Sequence, residues 1–156
     1  MTDQDQKIPD VTLATLESRF GYLLRRSYQT IKSNLENSDN NRFGLTSAQH
    51  AILTVIHEAK TIDQASIAKR LVLDRTTTGL AIKNLEKKGL VTRVAAPDDR
   101  RRKLVTLSAT GRDSIDDIQA WALSLQDLFN SVYDEQEQEQ LKTLLRKLIS
   151  HSDAPA

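Results

Sequence analysis

The chain has 156 residues, enough for one domain whose core needs no covalent cross-link. It contains no cysteine, which excludes disulfides, thiolate metal sites and thiol-based redox sensing. The opening MTDQDQKIPD lacks the apolar core of a signal peptide, and no later segment has the length and apolarity of a membrane span. We therefore expect a cytoplasmic globular protein.

The net charge of +1 conceals an uneven distribution of charge along the chain. Residues 61–112 carry twelve Lys/Arg against five Asp/Glu, a net charge of +7, so the remainder of the chain carries −6. A basic module flanked by acidic segments is the electrostatic pattern of a surface that binds a polyanion.

The N-terminal third predicts two helices separated by the polar loop NSDNNRFG. Apolar residues recur at steps of three and four from Val11 to about Asn37, which predicts one long amphipathic helix. Thr46 is a suitable N-cap for the second helix, SAQHAILTVIHEA. Its predicted buried stripe consists of Ala48, Ala51, Ile52, Val55 and Ile56.

The middle of the chain predicts a helix-turn-helix followed by a β-hairpin. Asp63 can cap a first short helix, and Asp74 can cap a second helix that ends at Gly89. Two short helices joined by a tight turn form the helix-turn-helix unit. The segments LVTRVAA and RKLVTLS predict the two strands of the hairpin, which makes the unit a winged helix.

The C-terminal third predicts two further helices. Ser108 can cap a long helix whose apolar face extends to Val132, and a last helix begins near Asp134 with acids early and cations late, as its dipole favours. The predicted fold is therefore mainly α, in the order α-α-β-α-α-β-β-α-α.

The second helix of the helix-turn-helix, residues 74–88, has two chemically different faces. Thr78, Ala81, Ile82 and Leu85 cluster on one side and are predicted to pack inward. The other side is small, polar and basic, as a helix entering the major groove of DNA requires, although an ordinary exposed helix face is the simpler alternative. The candidate DNA-binding residues of this helix are Arg75, Thr76, Thr77, Gly79, Leu80, Lys83, Asn84 and Lys87.

Leu80 is an apolar residue at the centre of that outer face. One hypothesis is that Leu80 contacts a thymine methyl group while Gly79 lets the helix backbone approach the DNA closely. The alternative, of equal weight, is that Leu80 packs on a neighbouring loop of the protein.

The hairpin tip, APDDRRRK, supplies turn residues followed by a run of cations. Arg100, Arg101, Arg102 and Lys103 are predicted to reach phosphates or the adjacent minor groove. Asp99 is predicted to hold Arg101 in one orientation, so that less entropy is lost on binding.

The segments LTSAQHAILTVI, IAKRLVLDRTTTGLAIKNLEKKGLVTR and PDDRRRKLVTLSATGR resemble the MarR family of bacterial winged-helix regulators. The match runs from about Gly44 to Arg112, and the flanking helices also fit. The resemblance implies a single MarR-type domain over residues 1–156. Within it, residues 10–38 and 112–151 would form dimerisation helices, and residues 46–108 the DNA-binding lobe, with a recognition helix at 74–88 and a wing at 91–107.

The resemblance also implies a homodimer on a palindromic operator of double-stranded DNA, usually a repressor released by an aromatic carboxylate or a phenol. Family members often have a polar or basic residue where Leu80 stands, and the absence of cysteine excludes the peroxide-sensing branch. The terminal helices carry more apolar surface than one chain needs to bury. The predicted dimerisation residues are Leu13, Leu16, Leu141, Leu144, Leu145 and Leu148.

A cleft between the first two helices and the DNA-binding lobe is the predicted effector site. Its candidate residues are Arg19, Tyr22, Arg26 and His50, because an arginine or histidine can pair a carboxylate and a tyrosine can stack on a ring. Surface ion pairs for the arginines and a solvent-facing position for His50 are the alternatives. His50 and His57 lie two helical turns apart, too far to share a metal, so we expect neither a metal site nor a cofactor.

Three other classes of function are the alternatives to a specific regulator. The chain has no GxSxG, HExxH or phosphate-binding glycine loop, which argues against an enzyme. Residues 61–112 contain no Phe, Tyr or Trp, which argues against an RNA or single-strand binder that stacks bases. A nonspecific architectural DNA-binding protein of the same fold remains the alternative, and its binding would collapse against bulk DNA at near-physiological salt.

The substitution Asp99→Ala tests the predicted brace in the wing. If Asp99 orients Arg101, its removal weakens operator binding in a titration even though the net positive charge rises. Stronger binding would show that the aspartates are only turn residues.

Overall fold

The computed structural model describes residues 12–39, 41–96 and 103–152. The strands β1 (Thr61–Asp63), β2 (Val91–Ala95) and β3 (Lys103–Leu107) form an antiparallel sheet in the order β1-β3-β2. The predicted mainly helical winged helix-turn-helix fold is confirmed. Over the described ranges, none of the helices combines the length and the apolarity needed to cross a membrane. The helices are α1 (Leu13–Glu17), α2 (Phe20–Glu36), α3 (Ser47–Ala59), α4 (Gln64–Leu71), α5 (Arg75–Lys87), α6 (Ala109–Leu123), α7 (Leu125–Val132) and α8 (Glu135–Ser152).

The predicted helix caps are formed by local hydrogen bonds. Thr46 forms a capping box with Gln49 at the start of α3. The side chains of Asp63, Asp74 and Ser108 each accept a hydrogen bond from the backbone amide three residues later. Since these bonds satisfy amides that have no partner inside the helix, the starts of α3, α4, α5 and α6 are encoded locally.

Two helices that the sequence predicts as continuous are each divided, which corrects those predictions. The first separates into α1 and α2 because Arg19 adopts extended backbone angles, φ −81° and ψ 136°. The other separates into α6 and α7 at Ser124, whose hydroxyl donates to the carbonyl of Trp121 over 2.6 Å. A serine hydroxyl can bond to a backbone carbonyl of the preceding turn and thereby disturb the helix. The apolar periodicity continues across both breaks and therefore does not reveal them.

The core is centred on α3. Ile52, Leu53 and Ile56 of this helix are fully buried and belong to one cluster with side chains from α4, α5, β3 and α6. The indole Nε1 of Trp121 in α6 donates to the carbonyl of Leu35 in α2 over 3.2 Å. The helix-turn-helix and the helices that flank it therefore share one core.

The terminal helices leave apolar side chains uncovered. Neither α1 nor the described part of α8 contains a buried residue. Phe20 is 84% exposed, Leu13 is 67% exposed and Leu144 is 65% exposed. Of the predicted dimerisation residues, only Leu141 is partly buried, while Leu13, Leu16, Leu144, Leu145 and Leu148 are exposed.

Gly111 in the first turn of α6 lies against the backbone of Leu90. A Cβ atom at Gly111 would stand 2.0 Å from the Leu90 carbonyl oxygen, which also accepts the backbone amide of Ser108. Because backbone must move to admit a methyl group there, we expect Gly111→Ala to destabilise the fold by about 3 kcal/mol.

The matched control is Gly21→Ala in α2, where an added Cβ meets no atom within 4 Å. It should leave stability unchanged or raise it by roughly 0.5–1 kcal/mol, since alanine is the better helix former. Urea unfolding of both variants measures the difference, and equal stabilities would contradict the close approach of α6 to Leu90.

Candidate DNA-binding surface

The inner face of α5 is packed as predicted. Ile82 and Leu85 are fully buried, Ala81 is 8% exposed, and Thr78 is fully buried with its hydroxyl donating to the Asp74 carbonyl over 2.9 Å. The turn before α5 has Val72 in the left-handed region at φ 52°, and its exposed side chain points away from the core. With this face fixed in the core, the opposite face of α5 must point outward.

Asp74 caps the start of α5, and its carboxylate is hydrogen-bonded to Thr77, one of the predicted DNA-binding residues. The hydroxyl and the backbone amide of Thr77 both donate to the Asp74 carboxylate, and these bonds hold the pKa of Asp74 below its ordinary value. The Thr77 proton is therefore engaged within the protein, which leaves its hydroxyl oxygen as an acceptor.

Gly79 is partly buried and lies beside a side chain of α4. A Cβ atom at this position would stand 2.8 Å from Nε2 of Gln64, a side chain of α4 that also donates to the Arg75 carbonyl over 3.4 Å. A side chain at position 79 would therefore require the end of the Gln64 side chain to move, and the role of Gly79 at DNA stays a prediction.

The outer face of α5 is open. Leu80 is 60% exposed, so the described residues leave most of its side chain uncovered. Packing of Leu80 on a neighbouring loop is therefore not seen among the described residues. The other predicted residues of α5 differ in how far their side chains are exposed. Arg75, Thr76, Thr77, Lys83 and Lys87 are exposed, while Gly79 and Asn84 are partly buried.

The wing stands beside α5, and an ion pair that sequence reasoning missed links the two. Arg93 of β2 donates through Nε to Oε2 of Glu86 in α5 over 3.1 Å, and its Nη2 contacts the same oxygen. Lys103, at the start of β3 opposite Ala95, is exposed. Four predicted DNA-binding residues of the wing lie outside the described residues: Asp99, Arg100, Arg101 and Arg102. The predicted contact between Asp99 and Arg101 lies there as well.

Lys88 is an exposed basic residue of the module, but its ammonium group is bonded within the protein. Its Nζ donates to the carbonyls of Phe43 over 2.6 Å and Gly44 over 3.1 Å. This contact ties the end of α5 to the loop before α3. It was not foreseeable from the sequence, because the partners are backbone atoms more than forty residues away.

The four predicted effector residues are not brought together within one chain. Tyr22 lies thirteen residues before Leu35 on α2, roughly 20 Å along a helix. Trp121 bonds to Leu35 and contacts His50 edge to face, so His50 lies near the far end of α2. Arg19 and Arg26 are exposed on the Tyr22 half, and Tyr22 carries the guanidinium of Arg25 at 5.3 Å from its ring.

His50 has a structural environment of its own. Burial lowers its pKa, against the smaller opposing effect of a hydrogen bond with Gln119. Thr54 and Trp121 complete its surroundings. Among the described residues, no group of His, Asp and Glu is arranged to hold a metal ion.

An exposed, basic helix that follows a tight turn and has its inner face buried, with a β-hairpin at its side, defines a winged helix-turn-helix DNA-binding protein. Comparison with known proteins agrees with this class. The MarR family model matches residues 45–103, which span α3 to the start of β3. The chain belongs to the MarR family of transcriptional regulators.

Two solved structures extend the similarity over most of the chain. A crystal structure of a probable transcriptional regulator from Pseudomonas aeruginosa is 32% identical, with a TM-score of 0.78 over 85% of this chain and 98% of that one. The structure of Bordetella bronchiseptica BpsR, described as regulated in its DNA binding by 6-hydroxynicotinic acid, is 26% identical, with a TM-score of 0.76 over 89% and 96% of the two chains. An uncharacterized HTH-type regulator of Bacillus subtilis, YdgJ, is 33% identical over 47% of this chain and only 44% of its own length.

Proposed function

We propose that the protein is a homodimeric, sequence-specific regulator that represses transcription from a palindromic operator in double-stranded DNA. The observation that carries this proposal is the outer face of α5, which is exposed and cationic while its inner face is locked in the core. A rigid helix of this kind can be placed in a major groove with its side chains in a fixed register. The protein would act in the cytoplasm, where the DNA is.

Dimerisation is supported by the uncovered apolar surface of the terminal helices. Leu148 and Ile149 of α8 are 50% and 60% exposed, and Phe20 and Leu23 of α2 are 84% and 49% exposed. Large contiguous apolar surfaces on soluble proteins mark interaction sites, and a second copy of the chain offers the matching surface. Two copies would present two α5 helices, and a two-fold axis between them requires a palindromic site.

Release by a small organic ligand completes the proposal. BpsR, a relative of similar fold, is regulated by an aromatic acid, and we infer an aromatic carboxylate or a phenol for this protein as well. The shared core of α3 and α6 offers a physical route for such a response, since it joins the DNA-binding lobe to the terminal helices.

Lys87→Ala tests the contribution of α5 to DNA affinity. Lys87 is exposed at the last turn of the helix, and a lysine that neutralises one phosphate contributes about 0.9 to the slope of log affinity against log salt. We expect the variant to bind all DNA sequences more weakly, with a slope smaller by about that amount in fluorescence anisotropy titrations.

The control for Lys87→Ala is Lys147→Ala, which makes the same charge change on exposed α8. It should leave the salt slope unchanged. Equal effects of the two variants would indicate that net charge alone governs binding, as in a nonspecific architectural protein.

Leu80→Ala tests sequence recognition on the same helix. An apolar contact with a thymine methyl group contributes to base discrimination, so the variant should relax the preference at one position of each half-site in a binding-site selection. Its salt slope should match that of the wild type, because no charge is lost. An unchanged preference would remove Leu80 from the base-reading residues.

A further inference from the structure

A cavity lies between the end of α3, the strands β1 and β3, and the first turns of α6. It has a volume of about 340 Å³, within the range of small-ligand pockets, roughly 300–1,000 Å³. It lies on the β1 side of the sheet, whereas β2 forms the opposite edge. None of the residues that sequence analysis selected for an effector lines it.

The floor of the cavity is apolar. Ile56 of α3, Leu107 of β3 and Ile115 of α6 line it, and each is at most 5% exposed. An apolar floor of this kind has no hydrogen bonds to offer and favours the ring or chain of an organic molecule over a hydrated ion.

The rim of the cavity is cationic. His57, Lys60 and Arg112 contribute the charged or ionisable groups, and none of the described residues that line it is acidic. Arg112 donates from Nη1 to the Leu107 carbonyl over 2.8 Å, which holds the guanidinium at the edge of the cavity, and its other donors bond to none of the described residues. Cationic donors above an apolar floor are the arrangement that binds a carboxylate with an apolar body.

The backbone around Lys60 is held in place. Lys60 has φ 63°, a conformation that side-chain-bearing residues rarely adopt. Its carbonyl accepts the Thr106 hydroxyl over 2.9 Å, and Thr61 pairs with Thr106 across the β1–β3 ladder. Backbone strain of this kind is maintained only where the surroundings enforce it, so the rim is preformed.

We propose that this cavity binds a small organic monocarboxylate, whose carboxylate is held by Lys60 and Arg112 and whose apolar body rests on Ile56, Leu107 and Ile115. The site is formed by one chain and is separate from the Tyr22 half of α2. Its regulatory consequence rests on the proposed function: the ligand would touch both β3, which leads from the wing, and α6, which leads to the terminal helices.

The test uses benzoate as the probe and benzamide as its neutral isostere, added to the full-length protein without DNA. Benzoate should perturb the backbone amide signals of Thr61 and Leu107 in nitrogen-15 correlation spectra, and benzamide should bind at least tenfold more weakly because it lacks the charge. Equal binding of the two probes, or perturbation confined to the Tyr22 half of α2, would overturn the proposal.

Lys60→Asn removes the cation with a residue that tolerates positive φ, so the fold should be kept. We expect its dissociation constant for benzoate to rise about tenfold, the scale of one lost charge-assisted hydrogen bond. Lys69→Gln, on the exposed surface of α4, makes the same charge change outside the cavity and should bind benzoate as the wild type does. An unchanged constant in Lys60→Asn would also overturn the proposal.

Operator binding without benzoate, measured separately, keeps the two proposals distinguishable. A protein that binds its operator but not benzoate refutes the cavity and leaves the regulator intact. A protein that binds benzoate at Lys60 but no operator refutes the regulator and leaves the cavity intact.

Discussion

The structure depends on the burial of α3. The side chains of Ile52, Leu53 and Ile56 are completely buried, and they belong to one cluster with the inner face of α5 and with α6. Burying side chains of this size contributes roughly 1.5–3 kcal/mol each, so α3 is the element whose packing positions both the DNA-facing helix and the helix leading to the chain's C-terminal part. Two polar contacts connect other elements of the structure. Arg93 with Glu86 links the wing to α5, and Trp121 with Leu35 links α6 to α2.

One chain is enough to form this core, but it leaves apolar side chains of its terminal helices exposed. Phe20, Leu144 and Ile149 remain more than half exposed, whereas the large apolar side chains of α3 and of the inner face of α5 are buried. The excess of positive charge is concentrated in residues 61–112, whereas these uncovered apolar side chains lie on the terminal helices, which separates a basic region from an apolar one. This division of surface agrees with a molecule that meets its own copy at one end and a polyanion at the other.

Features encoded within a few residues could be predicted from the sequence. The caps at Asp63, Asp74 and Ser108 and the buried side of α5 depend on local hydrogen bonds and on helical periodicity, and all are present. The helix breaks at Arg19 and Ser124 could not be predicted, because the apolar pattern continues through them. The proximity of Gly79 to Gln64 could not be predicted either, because Gln64 comes from another helix.

The candidate sites divide along the same line. The outer face of α5 follows from one helix and was identifiable in advance, whereas an effector cleft depends on which distant segments meet. Sequence reasoning grouped Tyr22 with His50, but α2 separates them, and the cavity formed by Lys60, Thr106 and Arg112 joins residues with no sequence signal in common.

Light scattering on Leu148→Glu, followed by an operator titration, tests the central claim that the uncovered terminal helices join two copies and so place two α5 helices on DNA. The matched control is Lys147→Glu, which introduces the same side chain at the adjacent exposed position. The account predicts twice the mass of one chain for the wild type and the control at micromolar concentration, with monomer and lost operator affinity for Leu148→Glu. A monomeric wild type, or a monomeric variant that binds the palindrome as tightly as the wild type, would contradict it.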